Sequence, residues 1–479
     1  MNNYTFSSKI SKIKQYDVVI VGGGVAGCAS AAIAARKGLK TLLIEQEGTL
    51  GGQAGPGIVT PLSSTHSSDN INFGGILKEI TDQTTTLAIK YCIPNKERIG
   101  EALCAPHILK YVLLNLIIDS GAEIMFHTTL TDVVRNDRKL ESIIAFTKSG
   151  YWKIDAKYFI DASGDGDLVA LSNEEFVVGS EPNVFNYLKE TGMDTIHSEQ
   201  NDMANYKTYD TNGKLQPVSI FFTMGGVDYE KAQNFNNQTI HYLTLGISKE
   251  EFEKLPYAGS CGFEENGEKL PLPQGRILIS RGVRDDVAVI NMSRVIGING
   301  IESESLNDGE IKAQKQVLYL VDFLKRFVPG FNHSYFLESA STLGIRETRR
   351  LVGRYVLSGK DVILCRKFDD AIARGSYMID IHDPNGKNKA IGGNIQGNYY
   401  EIPYRSVYAK NTDNLLVCGR CISADHVAHS STRIQGTCIL TGQAAATAAY
   451  LGVKYHLNTE KISTDELREI LIQDGVYLD

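Results

Sequence analysis

The order of apolar and polar positions divides the chain into stretches of different character. Asp17 to Val21 reads as an apolar strand, unbroken from Val18, followed by glycines at 22, 24 and 27, a small-residue helical stretch, a second apolar strand at Thr41–Ile44, and an acid, Glu45. Helical patterning returns at Gly75–Ile80 and over Ala105–Ser120, where Ile108, Tyr111, Val112, Leu114 and Leu116 mark an apolar stripe. Residues 122 to 167 read as short strands joined by turns at Asn136-Asp137 and Ser149-Gly150, returning to the sheet at Tyr158–Ile160. Residues 1 to 15 read as a polar lead-in. Beyond residue 172 the chain becomes more polar and aromatic, and Gln216–Val227 and Gly275–Val295 alternate like strands of an antiparallel sheet. Val317, Leu320, Val321, Leu324 and Phe327 recur at helical spacing until Pro329-Gly330 stops them, and residues 344–357 predict a further helix. Residues 414–452 give a strand, a polar loop and a small-residue helix from about Thr437, and Thr464–Ile472 patterns as a closing helix.

The first of these stretches is a dinucleotide-binding unit. A tight turn requires glycine at 22, close approach of bare backbone to a pyrophosphate requires it at 24, and helix-on-strand packing requires it at 27. The start of the following helix offers unpaired N–H groups and a positive dipole end to phosphates. Glu45, about 20 residues downstream, stands where a carboxylate accepts from ribose hydroxyls. Gly48, Gly51, Gly52, Gly55 and Gly57 crowd the next loop with small residues, which lets a flat ligand approach the backbone.

Composition narrows the class. A chain of 479 residues, 42% hydrophobic and 22% charged, is long enough for two domains. A net charge of −7 without a basic tract argues against nucleic acid as partner. The eight cysteines are thinly spread, which fits reduced thiols. The N-terminal residues lack an apolar leader segment and no stretch of 18 apolar residues occurs, so a soluble cytoplasmic protein with no membrane contact is expected.

Several clusters carry candidate chemistry. The acids of Asp161-Ala-Ser-Gly-Asp-Gly-Asp167 lack the oxygen spacing of a calcium loop, so no metal is expected; they read as a strand-end turn, with Asp161 or Asp165 capping the next helix. His382 lies between Asp380 and Asp383, and a carboxylate beside an imidazole fixes its tautomer and raises its pKa. Arg346 and Arg350, four apart on a helix, would share a face and together clamp a carboxylate. His426, His429, Arg433 and Gln435 crowd the loop before the last small-residue helix, and Cys418-Gly-Arg-Cys421 offers a CxxC pair whose thiolate Arg420 would favour.

Taken in order, Gly22, Gly24, Gly27, Glu45, Gly51-Gly52, the DASGDGD turn, GIRETRR, IDIH, NLLVCGRCIS and TGQAAATAA resemble the FAD-dependent oxidoreductase family of bacterial flavoproteins. These have the glutathione-reductase type of FAD fold and are more distantly similar to fumarate reductase flavoprotein subunits. The resemblance runs from Tyr16 to about Gly452. It implies an α/β fold: a Rossmann-like FAD-binding domain (16–171 and 400–455; parallel sheet plus β-meander, completed by the C-terminal segment), an inserted α+β substrate domain (172–399) and a helical tail (456–479). It implies FAD, with the adenosine ribose on Glu45 and Gln46, the pyrophosphate on Gly22, Gly24, Val25, Ala26 and Gly27, and the adenine near Val133. Gly51, Gly52 and Gln53, the turn Ala162, Ser163 and Gly164, and the C-terminal Gly419, Arg420, Gln435, Gly436 and Thr437 are the remaining cofactor contacts it implies. Related flavoproteins hold the ribityl chain with a Gly-Asp pair; Gly419-Arg420 here makes that contact different. With the family placement, the helix near Thr437 would aim its positive end at the flavin N1 and C2 carbonyl region, favouring the reduced anionic flavin.

The expected activity is hydride exchange between flavin N5 and a small organic substrate bearing a carboxylate or hydroxyls, with His382 or His429 as general acid/base and Arg433 and Arg346 orienting the substrate. No second GxGxxG provides for NAD(P)H, so an external electron donor or acceptor must dock directly. The alternatives are an electron-transfer subunit or sensor acting on a partner protein, and a thiol/disulfide reductase working through Cys418 and Cys421.

Overall fold

The computed structural model describes residues 7–60, 74–92, 105–182, 213–236, 238, 240, 246–260, 263–265, 268–386 and 391–478. Its centre is a seven-stranded sheet. Strand β1 (Ile10–Val21) pairs in parallel with β2 (Thr41–Ile44), and β2 with β3 (Glu123–Met125). On its other side β1 pairs in parallel with the long β6 (Gly150–Asp161). The first half of β6 continues antiparallel into a meander with β5 (Lys139–Thr147) and β4 (Thr129–Asn136), whereas its second half pairs in parallel with the C-terminal strand Leu415–Val417. β1 starts at Ile10, so residues 10–15, read from sequence as lead-in, extend the sheet along Tyr151–Asp155 with their side chains mostly in solvent.

An apolar strand with no alternation predicts burial on both faces, and that is the outcome for the second half of β1. Val18 and Ile20 join one cluster with helix α1 (Val25–Arg36) and the C-terminal helix Gln435–Tyr455, while Val19 and Val21 join the meander side with Ile143, Ile154 and Phe159. α1 has almost no polar face because it is enclosed by the sheet, by the C-terminal helix and by helix α2 (Pro106–Ser120). Small residues make the crossing close: a Cβ on Gly442 would stand 2.3 Å from the Ala26 carbonyl oxygen, and Ser30 Oγ donates to the Gly442 carbonyl at 2.9 Å. On α2, Ile108, Val112 and Leu116 are buried as patterned, but Tyr111 faces out.

A second apolar cluster runs from Val218 to Leu343. It lies between an antiparallel sheet, in the order Ile279–Arg281, Ala288–Ile290, Phe222–Gly225, Tyr335–Ser339, and the helix Ser303–Phe327. Ile58, from the glycine-rich loop, inserts into this cluster. Residues from Leu351 to Ile402 pack instead with the first cluster, as do Leu467 and Leu471 of the tail helix Thr464–Gln473. The packing thus crosses the expected domain boundary between 399 and 400. We propose the inserted unit as ending near residue 345.

The helix expected over 344–357 does not form. Arg349–Leu351 is a strand paired with Phe176–Val178, and its flanks are irregular. Successive side chains there have partners in different directions: Arg346 with the Pro217 carbonyl, Glu347 with His426, Thr348 with Asp165, and Arg350 with Glu181. A helix would place neighbours 100° apart and could not reach all four.

Candidate functional site

At the carboxyl edge of the parallel strands the backbone makes a cradle. Gly22 turns with φ +103°, a conformation that L side chains rarely adopt, and a Cβ there would lie 2.5 Å from the Ala162 carbonyl oxygen. A Cβ on Gly27 would lie 1.9 Å from the Gly22 carbonyl oxygen, so this glycine sets the approach of α1 to the turn. Gly24 caps α1 with nothing within 4 Å of its would-be Cβ, and no side chain caps the first turn. Those N–H groups therefore face a cavity of about 410 Å³.

Gly22, Gly24, Val25, Ala26, Glu45, Gln46, Gly51, Gly52 and Gln53 line that cavity, as do Ala162, Ser163, Gly164, Gly419, Arg420 and Gln435. Glu45 accepts from the Gly23 N–H at 2.5 Å and the Glu47 N–H at 2.8 Å, and burial raises its carboxyl above the usual range. Asp161 caps as expected: its carboxylate accepts from Ser163 N–H and Oγ–H and from Val169 N–H in the short helix Asp167–Leu171. Asp165 instead holds Arg420, with Nη2 to Oδ1 at 2.6 Å, and accepts from Thr348 Oγ at 2.8 Å.

Four expected contacts do not line the cleft: Gly27, which packs against the Gly22 turn, and Val133, Gly436 and Thr437. Val133 packs on the meander cluster, because β4 runs away from the strand ends after Thr129; Thr128, Thr129 and Leu130 form the wall in its place. The C-terminal helix begins at Gln435, two residues earlier than expected, so Gly436 and Thr437 are buried inside its first turn and line neither cavity. Thr49 and Ser341–Leu343 also line the cleft, and no motif marked them.

A second cavity, of about 390 Å³, adjoins the first, and Gln53, Ile345, Arg420, Arg433 and Gln435 line both. Its polar wall brings together Arg346, Tyr377, Asp380, His382 and Arg433. Arg433 Nη2 donates to the Asp380 carbonyl at 2.9 Å and stands 3.8 Å from its carboxylate. Arg346 Nη1 donates to the Pro217 carbonyl at 2.6 Å, and the His382 N–H donates to Gln216 Oε1 at 3.0 Å. His382 Nε2 lies 3.7 Å from the Asp380 carboxylate. Burial, and then the nearby Arg346 charge, push His382 down to about 3, the reverse of the raised pKa expected from its flanking acids. Burial and Arg433 bring Arg346 down to about 9. Burial opposes ionisation of Asp380, but His382, Arg433 and Arg346 outweigh it and hold the carboxyl below the usual range. The Asp380 charge, with burial, pushes Tyr377 up to about 12, and the Tyr377 hydroxyl has no hydrogen-bond partner among the described residues.

Arg350, expected to share a face with Arg346, is fully buried in a separate network with Glu347, Glu181 and the carbonyls of Gly179 and Ala424. His429 is fully buried and lines neither cavity, because the helix His426–Thr432 turns it inward; burial drives its pKa well below the usual value. The CxxC pair is buried as free thiols. Burial pushes Cys418 up to about 12 and Cys421 well above its usual value, outweighing the pull of Arg420, which pairs with Asp165. Among the described residues no helix is long and apolar enough to cross a membrane.

A parallel sheet with a glycine cradle at its carboxyl edge and a side-chain cavity against it defines a dinucleotide-cofactor protein with an adjoining small-molecule pocket. The open α1 N-terminus, the bare Gly24 and the Glu45 carboxylate fit an adenine dinucleotide. Over residues 17–471 the chain matches the model of the FAD dependent oxidoreductase family; it belongs to that family, and its cofactor is FAD. A thiamine thiazole synthase of Methanococcus vannielii is 29% identical over 171 residues, a match that takes in 33% of this chain and 59% of that protein's length. Among solved structures, a geranylgeranyl bacteriochlorophyll reductase-like protein of Thermoplasma acidophilum is 12% identical with a TM-score of 0.44, covering 97% of this chain and 85% of the other. A p-nitrophenol 4-monooxygenase of Pseudomonas putida is 10% identical with a TM-score of 0.43, covering 96% and 86%.

Proposed function

We propose that the protein exchanges a hydride with a small organic substrate that bears a carboxylate and binds in the second cavity. The observation that supports this most is the shared wall: Gln53, Arg420, Arg433 and Gln435 border both cavities, so whatever fills the second meets the cofactor of the first. Bound FAD supplies the two-electron chemistry. Arg346 and Arg433 attract and orient the carboxylate, and the rest of the substrate lies along the shared wall. Tyr377, kept protonated by the Asp380 charge, presents an O–H to a substrate oxygen. His382 is neutral in the free cavity and a weak base there. A carboxylate neutralises Arg346, removes part of the repulsion that holds His382 down, and so raises its proton affinity when substrate is present. His382 is the group we assign to accept or return the substrate proton.

The test is an anaerobic titration of the FAD-loaded protein with hydroxy acids, and of the dithionite-reduced protein with unsaturated acids. Bleaching by one class or recovery of flavin colour by the other supports the reading. A flavin that responds to neither carboxylate class contradicts it.

A further inference from the structure

We propose that the second cavity selects a substrate carrying a single negative charge, and that Asp380 is the residue that sets this count. The inference rests on the reading of that cavity as the substrate site.

Among the described residues, four ionic side chains line the cavity: Arg346, Arg420, Arg433 and Asp380. Arg420 is already neutralised, because the Asp165 carboxylate holds it at 2.6 Å from the side of the cofactor cleft. Arg433 is balanced by Asp380, whose carboxylate lies 3.8 Å from its Nη2. Arg346 is the remainder. It donates to the Pro217 carbonyl, and no carboxylate stands within ion-pair distance of it among the described residues. His382 adds no charge while neutral. Among the described residues one positive charge is thus left uncompensated in a partly desolvated place, where a lone ion is costly until a counter-ion arrives.

A monoanion cancels that charge. A dianion overshoots it, and its second carboxylate must lie in a small cavity with Asp380. The rest of the lining agrees, since Phe221, Leu278, Ile279 and Ile434 offer an apolar surface and Asn291 and Ser280 isolated polar groups. The substrate class that fits is a monocarboxylate with a mainly apolar or hydroxylated body. Asp380 here acts as a built-in second anion. Removing its charge should make room for a dicarboxylate.

The experiment is calorimetric titration of FAD-loaded wild type, Asp380→Asn and Asp380→Ser with matched pairs, butyrate against succinate and hexanoate against adipate, at constant ionic strength. The wild type should bind each monoanion at least about 10-fold tighter than its dianion, and both variants should narrow or reverse that ratio by about 10-fold, the effect of one unit charge at an intermediate dielectric. The two variants differ in shape but share the lost charge, so a common shift reports the charge; retained flavin confirms that each is folded. If both anions bind and neither variant moves the ratio, the charge count is wrong while the carboxylate reading stands. If no carboxylate binds the wild type, both fall together.

Discussion

The two cavities share a wall but are made from different material. The cofactor cleft is built on main chain, from glycines without Cβ atoms and the open first turn of α1, with Glu45 and Asp165 among the acids of its lining. The second cavity is made of side chains from segments far apart in sequence, Arg346, Tyr377 to His382, and Arg433, whose charges perturb one another. A backbone site tolerates changes around it but no change at its glycines. A charge cluster tolerates changes of shape but depends on the sum of its charges.

The largest expected effect therefore comes from Gly27→Val, which forces branched carbons against the Gly22 carbonyl. We expect loss of flavin from the purified protein and a destabilisation of about 3 kcal/mol or more, read by the ratio of visible to ultraviolet absorbance and by urea unfolding. Normal flavin content in this variant would break the claim that backbone approach makes the cleft.

An intermediate effect is expected from pH. His382 and His429 are held neutral in the fold by burial, with pKa values below that of an unfolded imidazole. The unfolded chain takes up protons at these sites below about pH 6.5 and the folded chain does not, so stability is lost as pH falls from there toward 3, with a slope of up to about 1.4 kcal/mol per pH unit for each histidine. Thermal melts from pH 7 to 4 should show the loss, and His429→Leu should flatten it. Equal slopes in wild type and variant would contradict the burial argument.

The smallest effect is expected at the cysteines. Cys418→Ser with Cys421→Ser should lower stability by about 1–2 kcal/mol, through buried hydroxyls, and leave turnover of the true substrate within about twofold. Loss of activity with flavin retained would restore the thiol route.

The same contrast explains what was legible in the sequence. Gly22, Gly24, Gly27 and Glu45 announce themselves because main-chain geometry limits residue choice at fixed spacing. The meander turns at Asn136-Asp137 and Ser149-Gly150 were legible for the same reason. The second cavity has no such spacing. Arg346 and Arg350 have the same local pattern, yet one faces the cavity and the other is buried with Glu347 and Glu181, because the segment is extended and not helical. His382 and His429 look alike in sequence too, and only tertiary packing separates the cavity residue from the core residue. The downward shift of His382 comes first from its burial and then from Arg346, 36 positions away.

The central claim is that an anion held by Arg346 sits against the cofactor. The most direct measurement is the visible spectrum of the FAD-loaded protein during titration with a non-reacting monocarboxylate such as butyrate. A saturable shift of the flavin bands is expected, which Arg346→Met removes, or weakens by about 10- to 100-fold in affinity, at unchanged flavin content. A spectrum that carboxylate leaves unmoved, or a shift that survives in Arg346→Met with the same affinity, would contradict it.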